Sequence, residues 1–144
     1  MKILICGNLG YVGPMVCRHI KYVFPDSELT GLDTGYFATR ISQFGRIGDT
    51  YCHHQVYQDI RDVSTKFLTK FDALIMLSAI SNDPMGNKFE QVTNSINFLA
   101  VKNIIEPYVA LPNKRLVFAS SCSIYGASEG DAKKEFDSLN PITA

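Results

Sequence analysis

The sequence has no excess of charge of either sign, no long apolar run and no paired cysteines. Its 14 basic and 14 acidic residues cancel, so charge does not favour binding to nucleic acid or to an anionic membrane. No stretch reaches the roughly 18 apolar residues of a membrane span. The four cysteines lie far apart, without the Cys-x-x-Cys spacing of metal sites. We therefore predict a protein that binds no nucleic acid, no membrane and no metal.

The cysteines and the N-terminus also indicate a compartment. Cys6 and Cys17 fall in apolar segments, where buried thiols are the ordinary state, and this fits a reducing compartment. The N-terminus enters an apolar segment at once and lacks the layout of a signal peptide. We therefore expect a cytoplasmic protein. With 144 residues, 46% of them hydrophobic, there is room for one domain with a real core, spanning 1–144.

An apolar strand followed by regularly spaced glycines is the most informative feature of the chain. Residues 2–6 read Lys-Ile-Leu-Ile-Cys, and Gly7, Gly10 and Gly13 follow before a helical pattern. Glycines let the backbone turn tightly and approach a pyrophosphate, which then meets the N–H groups and the positive dipole end of the helix. The pattern predicts a dinucleotide site built on this glycine turn.

A carboxylate farther along the chain bears on which dinucleotide is bound. Asp33 ends the second apolar segment, 20 residues after Gly13. A carboxylate there accepts hydrogen bonds from both adenosine-ribose hydroxyls and repels a 2′-phosphate, which favours NAD over NADP. Two alternatives stay open. Asp33 can start an Asx-turn with Gly35, and Arg40 can reach a 2′-phosphate if its loop folds back.

Strands and helices alternate along the chain. The patterns predict strands at 2–6, 28–32, 52–57, 73–77 and 115–119, helices at 11–24, 62–69 and 87–109, and a loop at 34–50 with room for a short helix. The last two strands are almost wholly apolar, which is typical of strands buried on both faces of a parallel sheet. Right-handed crossovers then give the strand order 3-2-1-4-5. The expected fold class is α/β, a doubly wound parallel sheet truncated after strand five.

The spacing of apolar residues also predicts which helix faces pack on the sheet. In the first helix, one face carries Val12, Met15, Val16, Ile20 and Val23. In the long helix, one face carries Phe89, Val92, Ile96, Leu99, Ala100 and Ile104. We expect both faces to be buried.

Ligands of doubly wound sheets bind beyond the carboxyl ends of the strands, and small or polar residues follow every strand here. Asp59-Ile60 follows the third strand, Leu77-Ser78-Ala79 ends the fourth, and Ser120 to Gly126 follow the fifth with the sequence Ser-Ser-Cys-Ser-Ile-Tyr-Gly. Asn97 lies in the long helix, six residues before Asn103. The ordinary alternative for the serines is a strand-end cap.

Together with the Gly-x-x-Gly-x-x-Gly spacing, these segments resemble the extended short-chain dehydrogenase/reductase family, in its NAD-dependent nucleotide-sugar epimerase/dehydratase branch, and the resemblance covers all 144 residues. Asp59-Ile60 resembles the motif whose carboxylate bonds the adenine amino group. Leu77-Ser78-Ala79 resembles the small-residue motif beside the cofactor. Asn97 resembles the first Asn of Asn-x-x-Gly-Thr-x-Asn, although Ala100-Val101 replaces Gly-Thr. The last segment resembles Ser-Ser-x-x-Val-Tyr-Gly.

The resemblance implies a set of site residues. The family's catalytic Ser or Thr lies four residues before the Tyr of that last segment, which is Ser121 here. The residues implied to bind NAD, including Ser81 beyond the fourth strand, are Gly7, Gly10, Tyr11, Val12, Gly13, Asp33, Asp59, Ile60, Leu77, Ser78, Ala79, Ser81 and Asn97. Ser81 and Asn82 are candidate contacts to the nicotinamide ribose or to the sugar.

The resemblance also implies the chemistry. In this family the Ser hydrogen-bonds the reacting sugar group, a Tyr from a Tyr-x-x-x-Lys helix moves the proton, and NAD carries the hydride. Tyr125 does not match that Tyr, because residue 129 is Glu. The segment 140–144 resembles the one that introduces this helix, so the Tyr and Lys are expected beyond Ala144. We expect the NAD-binding Rossmann domain of a longer enzyme, without its substrate domain and inactive alone.

The reaction subtype is less sharply indicated. Dehydratases of the family usually carry Thr-Asp-Glu where this chain has Ser121-Cys122-Ser123, which favours an epimerase that transiently oxidises a sugar carbon. The expected partners are a nucleotide sugar and, at full length, a second copy of the chain. A carbonyl reductase of the same family and a non-catalytic NAD-binding sensor remain alternatives, and the Ser121 pattern weighs against the sensor.

Overall fold

The computed structural model describes residues 1–37, 51–81, 88–127 and 132–142. Five parallel strands form one sheet, and they are β1 (Lys2–Cys6), β2 (Glu28–Asp33), β3 (His54–Tyr57), β4 (Ala73–Met76) and β5 (Arg115–Phe118). Their spatial order is β3-β2-β1-β4-β5. Both the α/β fold class and the predicted strand order are therefore confirmed. Most of the predicted loop at 34–50, with Arg40, falls outside the described residues.

The helices connect these strands and lie in two layers. They are α1 (Gly13–Val23), α2 (Thr65–Leu68), and a long helix that runs through α3 (Glu90–Asn94), a π-helical segment (Ser95–Ala100) and α4 (Val101–Val109). The helix predicted at 62–69 is instead a 3-10 turn (Ile60–Asp62) followed by α2. The two separate because Ser64 is extended and caps α2, accepting a hydrogen bond from Phe67 N. Within the described ranges, no helix is long and apolar enough to cross a bilayer.

The strand β1 lies at the centre of the sheet and contributes to both cores. Its side chains alternate between the two faces. Ile3 and Ile5 pack against α1, in a core that includes Cys17 and Ile20. Leu4 and Cys6 pack on the opposite face against α2 and the long helix. Because the central strand is buried on both faces, its carboxyl end is held firmly where the glycine turn begins.

The face predicted for the first helix is wrong in part. Val12, Met15 and Val23 are exposed, whereas the buried residues of α1 are Gly13, Cys17 and Ile20. The pattern of large apolar residues misplaced the face because small residues make the contact. Gly13 lies so close to Asn8 that a Cβ would overlap the Asn8 backbone, and this close approach rotates the larger side chains outward.

The face predicted for the long helix also needs correction. Phe89, Val92 and Leu99 are exposed, and the residues actually buried along the helix are Thr93, Ala100, Val101, Ile104 and Tyr108. A helical wheel assumes 3.6 residues per turn. The π-helical segment inserts extra backbone into the middle of the helix, so the regular wheel drifts off the true buried face.

The prediction that the fifth strand is buried on both faces is wrong for the described residues. Val117 is 59% and Phe118 48% exposed, although Leu116 packs against the core beneath the long helix. A strand is buried on both faces only when elements cover both, and β5 lies at the edge of the described sheet. The described elements therefore leave part of the apolar surface of β5 uncovered.

Candidate functional site

The strand register brings the carboxyl ends of the five strands to one level. Cys6 at the end of β1 pairs with Leu32 and with Met76, and those two pair in turn with Val56 and Phe118. The segments that follow the strands therefore meet along a single edge. From β1, the strands β2 and β3 extend the sheet to one side, and β4 and β5 extend it to the other. The point between β1 and β4 is therefore a topological switch point, which is where open α/β sheets bind ligands.

The glycine turn occupies the middle of this edge and requires glycine at two positions. Gly7 has φ +86°, and a Cβ there would lie 2.7 Å from Ser78 N at the end of β4. Its own N–H donates to the Leu32 carbonyl at 2.8 Å. A Cβ on Gly13 would overlap the backbone of Asn8. The turn is thus pressed against β4 on one side and against α1 on the other.

The N-terminus of α1 opens directly from this turn. No side chain caps this end, and no acidic residue occupies the first turn of the 11-residue helix. Uncapped N–H groups with the positive end of the helix dipole favour an anion. Tyr11 is 83% and Val12 53% exposed beside them, so both can contact a ligand without rearrangement. The turn and this helix end therefore fit a dinucleotide pyrophosphate.

Asp33 forms the predicted Asx-turn and also contacts the glycine turn. Its Oδ1 accepts a hydrogen bond from Gly35 N at 2.8 Å, which is the Asx-turn, and its Oδ2 accepts one from Leu9 N at 3.2 Å. Each carboxylate oxygen can accept a further bond. The same carboxylate that ties β2 to the glycine turn therefore keeps acceptor capacity for ribose hydroxyls.

Asp59 is already engaged by a neighbouring cation. Arg61 donates to both of its oxygens, at 3.0 Å from Nε and 2.7 Å from Nη2, and Arg61 N donates at 2.9 Å. These hydrogen bonds, with the nearby positive charge, lower the pKa of Asp59 against a smaller opposing effect of burial. From the described residues, Oδ2 accepts only the hydrogen bond of Arg61 Nη2. The Ile60 side chain is buried in the core, so a cofactor contact at this position would come from its backbone.

The segment that follows β4 is anchored by Asn97. Asn97 Oδ1 accepts from Ile80 N at 2.8 Å, and Asn97 Nδ2 donates to Ile80 O at 2.9 Å. Leu77 and Ser78 lie half-buried against the glycine turn, whereas Ala79 and Ser81 are exposed. Asn82 falls outside the described residues. Asn97 therefore acts through the backbone, holding the segment that carries the small-residue motif.

We expect Asn97→Ala to lower the free energy of unfolding by about 2 kcal/mol, since the backbone N–H and C=O of Ile80 both lose their partner. Thermal or urea unfolding followed by circular dichroism measures the change. The matched control is Asn103→Ala, an exposed Asn of the same helix, which should change stability by less than about 0.5 kcal/mol. Equal effects of the two substitutions would contradict the anchoring role.

Ser121 follows β5 at the end of the sheet. Its hydroxyl lies 2.7 Å from the Ser123 hydroxyl and accepts a hydrogen bond from Ser123 N at 3.2 Å, capping the 3-10 turn Cys122–Tyr125. The side chain is exposed. Ser121 follows β5, and because β4 separates β5 from β1, these two strands lie about 10 Å apart across the sheet. The strand-end cap and an accessible hydroxyl are thus both present.

The 3-10 turn is held in place by the later segment of the chain. Asn140 N donates to the Ile124 carbonyl at 2.9 Å. Gly126 has φ +66°, and a Cβ there would overlap the Asn140 carbonyl. The Asn140-Pro141 segment therefore packs directly on the turn that presents Ser121.

Two residues near this edge were not predicted from the sequence. The side chain of Asn8 is fully buried and exchanges hydrogen bonds with Gln55, and Ser123 pairs with Ser121. A buried Asn in a turn and a Ser in a polar segment carry no distinguishing pattern, so only the fold reveals these contacts. In the described ranges, no group of three or more His, Cys, Asp or Glu residues is arranged to hold a metal ion.

Several solved structures share the fold of this chain. The UDP-glucuronic acid 4-epimerase from Bacillus cereus aligns with 99% of this chain and 47% of its own, at 22% identity and a TM-score of 0.81. The UDP-Glc/GlcNAc 4-epimerase from Campylobacter jejuni aligns with 99% of this chain and 44% of its own, at 23% identity and a TM-score of 0.79. The NAD dependent NDP-hexosamine 5,6-dehydratase TunA aligns with 99% of this chain and 44% of its own, at 18% identity and a TM-score of 0.82.

At these identities the likeness to solved structures concerns the fold, and the chain spans a little less than half the length of each of these three relatives. None of the curated proteins matches the chain. The family model described as NAD dependent epimerase/dehydratase family matches residues 3–144. The chain therefore belongs to the NAD dependent epimerase/dehydratase family, which confirms the resemblance of its motifs to the extended short-chain dehydrogenase/reductases.

Proposed function

We propose that this chain is the NAD-binding Rossmann domain of a longer nucleotide-sugar epimerase, that it binds NAD, and that residues 1–144 do not turn over substrate by themselves. The observation that carries the proposal is the placement of the exposed Ser121 hydroxyl on the same sheet edge as the glycine turn. A pyrophosphate site alone fits many dinucleotide-binding proteins. An accessible hydroxyl after β5, two strands from the glycine turn after β1, fits a domain that also positions a substrate.

The residues present fit NAD at two points. The uncapped N-terminus of α1 offers its N–H groups to the pyrophosphate, and Asp33 keeps acceptor capacity for the ribose. Bound there, NAD would supply hydride acceptance and return. Ser121 would hydrogen-bond the reacting sugar hydroxyl, and Ser123, 2.7 Å away, would keep the Ser121 hydroxyl oriented.

Proton transfer needs a group that the 144 residues do not provide in the family's form. None of the seven tyrosines has a Lys four residues later. The family's Tyr-x-x-x-Lys pair would therefore have to come from outside this chain, which is why no turnover is expected of it alone. The exposed apolar side chains of β5 are consistent with further protein packing beside Ser121.

Epimerase chemistry is preferred over dehydration because the acidic pair typical of the family's dehydratases is replaced by Cys122 and Ser123. Two of the solved structures that share the fold are 4-epimerases of UDP-sugars, and we extend that substrate class to the longer protein. A carbonyl reductase uses the same site and remains the second candidate. The reductase is favoured if the longer protein releases an oxidised product and does not return the hydride from the cofactor to it.

We also propose that the longer protein is a cytoplasmic homodimer. The long helix exposes Phe89, Val92, Phe98, Leu99 and Val109, and the family resemblance implies pairing through helices that include this one. The four cysteines form no disulfide, which fits a reducing compartment.

Calorimetric titration of the 144-residue chain with NAD and with NADP tests the proposal directly. We expect saturable binding of NAD, weaker binding of NADP, and no conversion of UDP-glucose to UDP-galactose above the protein-free blank. Absence of NAD binding by a folded chain would overturn the proposal. Measurable epimerisation would overturn the statement that a Tyr-x-x-x-Lys pair from outside the chain is required.

Substitution of Asp33 tests the ribose contact. We expect Asp33→Ala to weaken NAD binding by about tenfold or more, because hydrogen bonds to a charged acceptor are lost, and to narrow the preference for NAD over NADP. Asp33→Asn preserves the Oδ1 acceptor of the Asx-turn but removes the charge, so it should raise NADP affinity relative to NAD. The exposed Asp62→Ala serves as control. Unchanged selectivity in both Asp33 variants would remove Asp33 from the site.

A further inference from the structure

Two cysteines face each other beneath the glycine turn. Cys17 lies in the second turn of α1 and Cys52 just before β3, with their Sγ atoms 3.7 Å apart. Both sulfurs belong to the small core between α1 and the sheet. The two positions are 35 residues apart in the sequence, so no local motif marks them. All four cysteines of the chain lie in its described part, and each is a thiol there.

We propose that Cys17 and Cys52 are a modification site that closes to a reversible disulfide on reaction with a low-molecular-weight disulfide, and that closure weakens nucleotide binding at the glycine turn. The second half of this statement rests on the proposed NAD site. The first half rests only on the placement of the two sulfurs.

The backbone around the pair allows the sulfurs to meet. A disulfide has its sulfurs about 2 Å apart, so closure needs a movement of roughly 1.7 Å. Cys17 is fixed in α1, but Cys52 lies in neither helix nor strand. Closure therefore requires Cys52, in the segment that leads into β3, to shift toward α1.

The exposure and the protonation state of the two thiols indicate which of them reacts first. Cys52 is partly exposed, whereas Cys17 is fully buried. The hydrogen bond with Cys52 and then burial hold the pKa of Cys17 well above the ordinary thiol range. Cys52 is therefore the sulfur that meets a small reagent, and Cys17 is the one that resolves the product.

The chemistry balances with glutathione disulfide as the oxidant. The Cys52 thiolate attacks one sulfur of the reagent, forming a mixed disulfide and releasing one glutathione thiolate. The Cys17 thiol then loses its proton to water, and its thiolate attacks the Cys52 sulfur. The Cys17–Cys52 bond forms as the second glutathione leaves as a thiolate and takes up a proton. Two protein thiols are oxidised and one glutathione disulfide is reduced to two thiols.

Asn8 connects the sulfur pair to the glycine turn. Its Nδ2 donates to Cys52 Sγ at 3.8 Å and to Gln55 Oε1 at 2.7 Å, and Gln55 Nε2 donates back to Asn8 Oδ1 at 3.2 Å. The Asn8 side chain is fully buried over Gly31, where a Cβ would overlap it. Its backbone packs on Gly13. Moving Cys52 toward α1 therefore removes one partner of the residue at the centre of the turn.

Peptide mapping after oxidation tests the pair. The starting protein carries Cys122→Ser, because Cys122 is exposed and would react independently. It is incubated with glutathione disulfide, quenched with acid and N-ethylmaleimide, and digested with trypsin and chymotrypsin without reduction. Tyr11 lies between Cys6 and Cys17, so chymotrypsin separates those two sulfurs. We expect a Cys17–Cys52 linked peptide that dithiothreitol abolishes.

Two matched variants sharpen this experiment. In Cys17→Ser, Cys52 should stop at the mixed disulfide with one glutathione, and in Cys52→Ser no linked peptide should form. Circular dichroism verifies that each variant is folded. Recovery of both Cys17 and Cys52 as maleimide adducts from the oxidised starting protein, or of Cys52 only as its glutathione adduct, would overturn the pair.

Titration of NAD into the reduced and the disulfide forms tests the coupling. We expect the disulfide form to bind about fivefold more weakly or worse, with full recovery after reduction. Equal affinities would overturn the coupling while the linked peptide still establishes the pair. If neither form binds NAD, the proposed function and the coupling both fail, and the peptide map alone decides on the disulfide.

Discussion

Replacing Gly7 by alanine is expected to abolish measurable NAD binding and to lower the free energy of unfolding by about 2–4 kcal/mol. Two independent costs add at this residue. Its φ of +86° is strained for any residue with a Cβ, and the new methyl group would lie 2.7 Å from Ser78 N and 2.9 Å from the Leu77 carbonyl carbon. Those atoms belong to the backbone after β4, so no side-chain rotation relieves the overlap.

The consequence for function follows from the direction in which the overlap is relieved. To escape Ser78, the turn must move away from β4, and this displaces the N-terminus of α1 that the turn leads into. Urea unfolding measures the stability change, and calorimetric titration at a temperature where the variant is folded measures binding.

The matched control for Gly7 is Gly10→Ala. A Cβ on Gly10 meets only the Gly7 carbonyl oxygen, at 3.3 Å, and Gly10 has no positive φ. We expect its free energy of unfolding to fall by less than about 1 kcal/mol. Similar destabilisation by the two substitutions would show that the turn does not depend on contact between Gly7 and β4.

Tyr108→Ala is expected to lower the free energy of unfolding by about 3–5 kcal/mol, the range found for removing a large buried aromatic side chain. Tyr108 is fully buried in the core between the sheet and the long helix. Its hydroxyl donates to the Phe71 carbonyl at 3.4 Å. The same helix carries Asn97, so loosening α4 should also weaken the anchoring of the segment after β4 and, with it, NAD binding.

A second variant separates packing from the hydroxyl of Tyr108. Burial, with a smaller effect of Asp72, raises the pKa of Tyr108 to about 12, while the unfolded chain titrates near 10. Between about pH 10 and 12 the unfolded state therefore binds fewer protons, so stability declines as pH rises through this window. Tyr108→Phe should flatten that decline and cost only about 1 kcal/mol at pH 7. An unchanged pH profile would contradict the buried, neutral hydroxyl.

The sequence predicted the architecture well because two signals in it are strong. Apolar runs separated by helical patterns define the alternation of a parallel sheet, and the right-handed crossover rule then leaves one strand order, which the structure confirms. The glycine turn was equally legible, since Gly7 and Gly13 are needed for reasons of backbone space. The functional roles of the site residues stay predictions, because they concern contacts with a ligand and not contacts within the chain.

The two errors in the predicted helix faces arise because a helical wheel assumes a regular helix and takes no account of the distance between backbones. In α1, the contact is made by Gly13 and Cys17, whose small side chains permit close packing. In the long helix, the π-helical segment changes the residues per turn. Pattern alone detects neither feature, because both depend on which neighbouring element the helix approaches.

The sequence by itself determined that this chain forms a parallel α/β sheet with a glycine turn and a carboxylate at adjacent strand ends, because hydrophobic period, glycine spacing and strand order are local or topological properties. Only the tertiary structure decided what the polar side chains contact. In the structure, Asn97 hydrogen-bonds the Ile80 backbone, Asp59 hydrogen-bonds Arg61, and Asn8 hydrogen-bonds Gln55 and Cys52. Most of these partners are distant in sequence and become neighbours only when the layers pack. Asp59 and Arg61 are close in sequence, but their contact depends on the rotamers of the two side chains.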